Sequence, residues 1–402
     1  MTARPGTSPG RGAGWREFLA LERNVGAAAG AFLLLGLGEE LWKRFLPKYL
    51  EALGAGPVAI GFFGTAEDLG DALYQYPGGA LADRLGTRRA FLLFITLAAL
   101  GYLVYLLSPS WPWVFLGLAL AMAWPGMGSP ATFAVIGEAL PPHRRAMGFT
   151  VQSILRRIPR LVSPLIGGTL MAAVGVVAGI RTGLAVTLAM AAATLLLVLR
   201  MDLPVAPSRA SSPWQVWGTF PSALRRLLVS DIVIRTCEGM AEVFVILYVT
   251  TVRGMSVRAF GLLIALQVAI SILAYLPAAR LSERIGRKPL VTATFLAFAA
   301  FPVCVAVARG PAALALAFVM GGLREVGEPS RKAMIVDAAL PGVRARTVGL
   351  YYLVRSFSVA PAAALGGLLW RISPATPFFV AGAIGLVGTV VFLATVEEKD
   401  AA

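Results

Sequence analysis

The sequence predicts an all-α membrane protein, with twelve transmembrane helices in two six-helix, pseudo-symmetric bundles. Three observations carry that prediction. The chain of 402 residues is 57% hydrophobic and 14% charged, and its mean hydropathy of +0.76 is too apolar for a soluble domain of this length. Apolar stretches recur along it, each near the ~20 residues a helix needs to cross a hydrocarbon core of roughly 30 Å. The second half also repeats the first at an almost constant offset.

Taken in order, the spans run Asn24 to Leu46, Val58 to Leu81, Ala90 to Leu107, Pro112 to Glu138, Met147 to Val174 and Thr182 to Leu199. They resume as Val229 to Thr251, Arg258 to Leu281, Pro289 to Ala308, Pro311 to Asp337, Thr347 to Trp370 and Pro374 to Val396. Short polar or Pro/Gly-containing turns separate them. Residues 1–23, rich in Gly, Pro, Ser and Arg, lack the apolar stretch of a signal peptide and read as a disordered cytoplasmic lead. The longest polar interruption, Arg200 to Arg226, contains LPVAPSRASSP and reads as an inter-bundle linker. The chain therefore divides into a bundle over 24–199, a cytoplasmic linker over 200–228, a second bundle over 229–396 and a tail over 397–402.

A net charge of +15 would suggest nucleic acid as partner for a soluble protein. Here the basic residues cluster at alternate span ends, about twenty of them on the side of the N-terminus. Few lie on the other side: Lys48, Arg181, Arg253, Arg258, Arg309 and Arg371. The positive-inside rule then places both termini in the cytoplasm, and the acidic tail with Glu397 does not alter this, because the rule counts Lys and Arg. The expected partners are the lipid bilayer, here a bacterial inner membrane, and a small-molecule substrate; no nucleic acid is expected, and the chain reads as a monomer. Cys237 and Cys304 fall inside spans and suit neither a disulfide framework nor a metal site. His143 has no Cys or acid at ligand spacing, and no GxxxxGK[ST] stretch occurs. An enzyme, a bound metal or cofactor and ATP-driven transport are accordingly not expected.

Sliding the second half back by 199 or 200 positions aligns Glu39 with Glu238, Asp83 with Glu283, Gly86 with Gly286, Pro130 with Pro329 and Arg156 with Arg355. Gly167-Gly168 likewise aligns with Gly366-Gly367. Parallel repeats of this kind are expected where two bundles rock about a site between them.

GGALADRLGTRR, Gly78 to Arg89, resembles the loop between spans two and three of the major facilitator superfamily, and ARLSERIGRK, Ala279 to Lys288, resembles its degenerate second copy. The resemblance extends over the whole chain through the six-plus-six plan and is closest in character to proton-coupled efflux antiporters. It implies alternating access, with a gating loop formed by Gly79, Asp83, Arg84, Gly86, Arg88 and Arg89, echoed by Glu283, Gly286, Arg287 and Lys288. By the same resemblance Asp83 contacts the cytoplasmic end of the other bundle when the protein is outward-open. Ser163 to Gly168 partly matches the fifth-span antiporter motif, with Ser163 where that motif carries Gly. Trp124-Pro125-Gly126 stands where many such exporters carry an arginine.

Spans three, six, nine and twelve carry no ionisable acid or base in their interiors. A charge at the centre of a helix costs about 2.5 to 3.5 kcal/mol, so spans one, two, five, seven, ten and eleven are expected to line the interior. In span seven Asp231, Arg235, Glu238 and Glu242 form one helical stripe, and in span ten so do Arg324, Glu328, Arg331 and Lys332. Glu39 with Lys43 and Glu40 with Arg44 pair at i,i+4 in span one. Glu238 and Glu242 lie one turn apart, as do Glu67 and Asp71, with Asp68 on the neighbouring edge; two carboxylates so placed resist ionising together, a usual way to hold an exchangeable proton. The expected proton-coupling residues are Glu238, Glu242, Asp71 and Glu39. Candidates to line the substrate cavity are Gln152, Arg156, Arg160, Arg235, Arg324, Glu328, Arg331, Tyr351 and Arg355. Their arginines either grip an anionic substrate or, the reading favoured by near-balance of acids and bases, neutralise the acidic stripes. Lys43, Arg44, Arg157, Glu325 and Lys332 read equally as structural salt bridges. The expected function is alternating-access export of a small organic molecule, drug-like or sugar-like, driven by the proton gradient. Proton-coupled uptake of a polar or anionic metabolite is the alternative, and a non-transporting sensor a third reading.

Overall fold

Apolar stretches that can satisfy no backbone group from a bilayer must close their hydrogen bonds internally, and the chain accordingly folds as helix after helix. The computed structural model describes residues 23–127, 142–200, 220–338 and 344–397, with no strand among them. Within those helices the side chains of residues 23–29, 75–80, 82–83, 87, 126–127, 142–156, 276, 279, 283, 336 and 344–346 lie outside the description. The expected 1–22 part of the lead, most of the linker and the tail beyond Glu397 also fall outside it.

In the first half, α1 (Arg23–Glu39) stops at a turn over residues 40–42, and a 3-10 segment, Lys43–Phe45, leads into α2 (Leu46–Ala52). Then come α3 (Pro57–Leu85), α4 (Thr87–Leu107), α5 (Trp111–Ala121) with a π turn at Ala123–Met127, α6 (Pro142–Val174) and α7 (Val176–Leu199). The second half holds α8 (Ser222–Leu247) with a π turn at Tyr248–Val252, α9 (Val257–Ile285), α10 (Arg287–Val307) and α11 (Pro311–Leu323). It closes with α12 (Glu328–Asp337), α13 (Arg344–Val359), α14 (Pro361–Trp370) and α15 (Thr376–Thr395). The described residues of the expected spans are mostly helical, with turns inside the first, fourth, tenth and eleventh. The seventh begins at Ser222, inside the expected 200–228 linker, because Leu224, Leu227 and Leu228 bury an apolar face there.

Among the described residues six helical stretches are long and apolar enough to cross a bilayer: Arg88–Leu107, Val176–Leu199, Val257–Tyr275, Arg287–Val307, Thr347–Trp370 and Thr376–Thr395. The other six spans are interrupted or charged: span one by its turn, span four by its π turn, span ten by the turn between α11 and α12, and α3, α6 and α8 by their charged residues. These are the helices that enclose the polar centre.

The halves meet along two seams, α3 against α14 and α6 against α9. Both are built on glycine. A Cβ on Gly61 would stand 2.5 Å from the Ala363 carbonyl oxygen, and one on Gly261 would stand 2.3 Å from that of Pro164. Opposite them, a Cβ on Gly367 would stand 2.7 Å from the Pro57 carbonyl oxygen and one on Gly168 3.0 Å from that of Val257. The preceding glycine of each pair faces inward instead: a Cβ built on Gly167 would collide with the Leu41 carbonyl oxygen and one on Gly366 with that of Met240. Each Gly-Gly pair therefore fixes one helix to its own bundle and to the other bundle at once, by the close backbone approach that small residues permit in a membrane.

The two loops expected to gate turn on Gly86 and Gly286, with φ of +80° and +88°, a region that a side chain disfavours. Beyond them Arg88 donates to the Leu199 carbonyl at 2.5 Å and Lys288 to that of Leu393 at 3.2 Å, so each cation caps the last helix of its own bundle. Arg287 pairs with Asp337 at 2.6 Å, while Arg84 and Arg89 are exposed. Asp83 and Glu283 lie in the last turn of α3 and α9; their side chains, like Gly79, fall outside the described residues.

Gly167→Ala is expected to destabilise the purified protein by about 1–3 kcal/mol, since the added methyl meets unyielding backbone. Gly349→Ala, where a Cβ meets nothing within 4 Å, is expected to leave the unfolding temperature unchanged or raise it slightly. Thermal unfolding in detergent distinguishes the two.

Candidate functional site: a charged cavity between the bundles

The interrupted and charged helices surround a central cavity with two lobes, of about 420 Å³ and about 920 Å³. Glu40, Lys43, Glu67, Asp68, Asp71 and Arg160 line both. The smaller lobe is completed by Arg44 and, from the second bundle, by Arg235, Glu238, Glu242, Gln267 and Arg355. The larger adds Glu39 and an aromatic wall that includes Trp42, Tyr102, Tyr105 and Trp124.

The turn at residues 40–42 changes the pairing expected for a continuous helix. Arg44 keeps its i,i+4 contact with Glu40, at 3.6 Å, but Lys43 reaches Glu67 on α3 at 3.4 Å, and Glu39 accepts a hydrogen bond from the Tyr102 hydroxyl. Arg160 lies 3.5 Å from the other side of Glu40. Arg44 also crosses to the second bundle, 3.1 Å from Glu242.

In that bundle the charges form a continuous network. Asp231, wholly buried, takes Arg331 at 2.5 Å and the Tyr351 hydroxyl at 3.0 Å, with Arg355 at 3.6 Å. Glu328 binds Arg331 at 2.7 Å and Arg235 at 3.1 Å. Arg235 extends to Glu238 at 2.6 Å. Arg324, in the turn between α11 and α12, completes the chain, 3.6 Å from Glu238 and 3.4 Å from Glu242. Its guanidinium also lies 4.4 Å from the Phe301 ring centroid, a cation–π contact. In a low-dielectric interior such paired, hydrogen-bonded charges hold a fixed geometry, and removing one partner strands the other.

Several expectations change here. Of the expected cavity residues, Arg160, Arg235 and Arg355 line the space. Arg324, Glu328, Arg331 and Tyr351 do not: they are buried behind its wall and act as its frame. A helical stripe is wider than the face that meets the cavity, which is why sequence spacing grouped them. Gln152 and Arg156 have side chains outside the described residues. Lys43 and Arg44, read equally as structural, stand on the cavity because the helix breaks just before them. The lining is also broader than the expected six spans. Span three contributes Tyr102 and Tyr105, span four Met122 and Pro125, and span eight Phe260, Ile264 and Gln267.

All four expected proton-coupling residues line the cavity. Glu238 and Glu242, however, do not confront each other unrelieved, since Arg324 serves both. Asp68, outside the expected set, lines both lobes and lies on the side facing α8, 3.9 Å from the Cβ position of Gly239. It forms no ion pair or hydrogen bond among the described residues. Its place on the edge of the Glu67–Asp71 stripe was the available signal.

Two helical repeats clasped around a charged cavity are the architecture of a membrane transporter. The sequence profile of the Major Facilitator Superfamily matches residues 28–250 and 227–402. The chain belongs to that superfamily. It is 21% identical over 383 residues to an uncharacterised transporter of the same type from Methanocaldococcus jannaschii, covering 93% of this chain and 95% of that one. It is 22% identical to the multidrug resistance protein MdtH of Proteus mirabilis, covering 85% and 86%. A crystal structure of a variant of the nucleoside transporter NupG superposes with a TM-score of 0.79 at 14% identity, over 94% of this chain and all of that one, which shows the shared fold.

Asp231→Ala, which leaves Arg331 without its nearest acid, is expected to cost about 3–5 kcal/mol of stability. Lys332→Gln, at a half-exposed cation, is expected to change it by less than ~0.5 kcal/mol. Calorimetry of the purified variants checks both.

Proposed function

We propose that this transporter exports a small organic molecule in exchange for protons, with the acidic face of α3 as the proton-carrying element. The carrying observation is Asp68: a carboxylate on both lobes of the cavity, flanked on its own helix by Glu67 and Asp71, with no cation bound to it among the described residues. A carboxylate in that position is available to either a proton or cargo, and competition between the two is the simplest basis for antiport. Asp71, Glu238, Glu242 and Glu39 are the companion sites; Glu238 pairs with Arg235 and Arg324, Glu242 with Arg44, and Glu39 accepts from Tyr102. The partial antiporter motif at Ser163 to Gly168 and the likeness to a multidrug resistance protein favour export. In this reading the proton gradient is the energy source, no cofactor is needed, and both termini face the cytoplasm.

The guanidinium groups of Arg160, Arg235 and Arg355 on the cavity favour a second reading, proton-coupled uptake of an anionic metabolite.

Purified protein in vesicles with an internal pH dye separates the two. Addition of a transported compound should move protons opposite to it, and lowering the pH should weaken its binding. Asp68→Asn should abolish proton movement and weaken cargo binding, and the binding that remains should lose its pH dependence. Protons travelling with the cargo would establish uptake, and unchanged coupling in Asp68→Asn, Asp71→Asn and Glu242→Gln together would remove the acidic face from the mechanism.

A further inference from the structure

Along spans two and eight the repeat aligns Gly61 with Gly261 and Gly86 with Gly286, and the same offset sets Gln267, Val268 and Ser271 of α9 against Glu67, Asp68 and Asp71 of α3. The face that is acidic in one bundle is therefore neutral in the other. Gln267, half-buried, lines the smaller lobe together with Glu67, Asp68 and Asp71.

The amide of Gln267 lies against α11, where Gly321 leaves room for it: a Cβ there would stand 3.2 Å from the amide carbon. Among the described residues neither its oxygen nor its nitrogen has a hydrogen-bond partner, and neither belongs to the polar atoms sealed away without one. The side chain thus offers one acceptor and one donor group to an occupant of the lobe.

The cations of the cavity are not open in this way. Among the described residues Lys43 pairs with Glu67, Arg44 and Arg160 with Glu40, Arg235 with Glu238 and Arg355 with Asp231. An anionic cargo must displace an acid from one of these pairs before it gains an arginine. A cationic group displaces nothing, because Asp68 stands on both lobes with no ion pair or hydrogen bond. The other described acids of the cavity, Asp71 included, all have partners. One carboxylate is open, so the second charge of a dication would have to break an ion pair.

We infer that the cargo is a singly protonated amine that also carries a neutral donor–acceptor edge of the carboxamide kind, with the ammonium on Asp68 and that edge on Gln267. Gln267 is then the specificity-determining residue. A carboxamide meets the glutamine amide through two N–H···O bonds, whereas an ester supplies only an acceptor and leaves the glutamine oxygen without a donor. The amine half of this inference rests on the reading of Asp68 as the acid shared by cargo and proton; the amide half does not.

The test titrates three probes into the full chain in lipid nanodiscs, with no proton gradient, and reads affinity by saturation-transfer NMR. They are para-(aminomethyl)benzamide, the ester methyl para-(aminomethyl)benzoate, and para-carbamoylbenzoate, which keeps the amide but carries a carboxylate in place of the amine. The parent should prefer the amide to the ester by roughly threefold to tenfold and bind the carboxylate least. Gln267→Met, close to glutamine in size, should make amide and ester equal, and Gln267→Ala takes its place if the Met variant does not fold. Asp68→Asn should weaken both amines alike and keep the preference for the amide. Equal affinity of amide and ester for the parent, a carboxylate that binds more tightly than either amine, or no binding of any probe would overturn the inference. A Gln267→Met protein that keeps the preference would also overturn it, while leaving proton exchange at Asp68 standing. If Asp68→Asn binds both amines as the parent does at every pH, the inference falls together with the proton reading, so the silent variant tells the two failures apart.

Discussion

The ion pair between Arg44 and Glu242 joins the bundles across the cavity, and the rest of the polar centre is arranged around what it costs to keep such charges away from bulk water. Neither residue is left to its one partner. Arg44 also meets Glu40, which Arg160 approaches from the opposite side, and Glu242 also meets Arg324. Through these shared partners the desolvation of each charge is spread over several contacts from several helices. A cargo with charged groups can enter by substituting for one member of such a set without stripping the others bare.

The duplication gives the halves a common plan, but they use it differently. In the second bundle the charges close on themselves, with Asp231 and Arg331 fully buried and Glu328 bound to Arg331 and Arg235. The first bundle has no comparable buried knot among its described residues. Its acids Glu67, Asp68 and Asp71 stand on the cavity beside Lys43. The second half thus supplies a stiff frame, while both halves put acids on the cavity, Glu67, Asp68 and Asp71 from the first and Glu238 and Glu242 from the second.

Much of this was legible before any coordinates. Charged positions at helical spacing identified the polar helices, and the constant offset identified the repeat, including the Gly-Gly pairs that build both seams. What escaped was set by backbone breaks and depth. Lys43 and Arg44 read ambiguously because the turn at residues 40–42 redirects them, and nothing in the pattern Glu-Glu-Leu-Trp-Lys-Arg announces a turn. Tyr102 and Tyr105 sit in a span without charges, so the charge pattern left that span off the interior, yet both line the cavity and the Tyr102 hydroxyl meets Glu39. Arg331 and Tyr351 shared a helical face with cavity residues but lie one layer behind them, and periodicity reports direction around a helix, not distance from its neighbour.

The glycine pairs have a consequence for how such a sequence can diverge. At Gly167-Gly168 and Gly366-Gly367 the first glycine answers to a helix of its own half and the second to a helix of the other. After the duplication each half was free to drift in its loops and cavity, but at these positions it inherited obligations to both. A larger residue at either glycine is tolerable only with a retreat of the backbone it meets, and a retreat at the second must occur in the opposite half. The halves are therefore bound to change together at the seams even where their cavity walls have become unlike, so traces of common ancestry persist longest where the two halves touch.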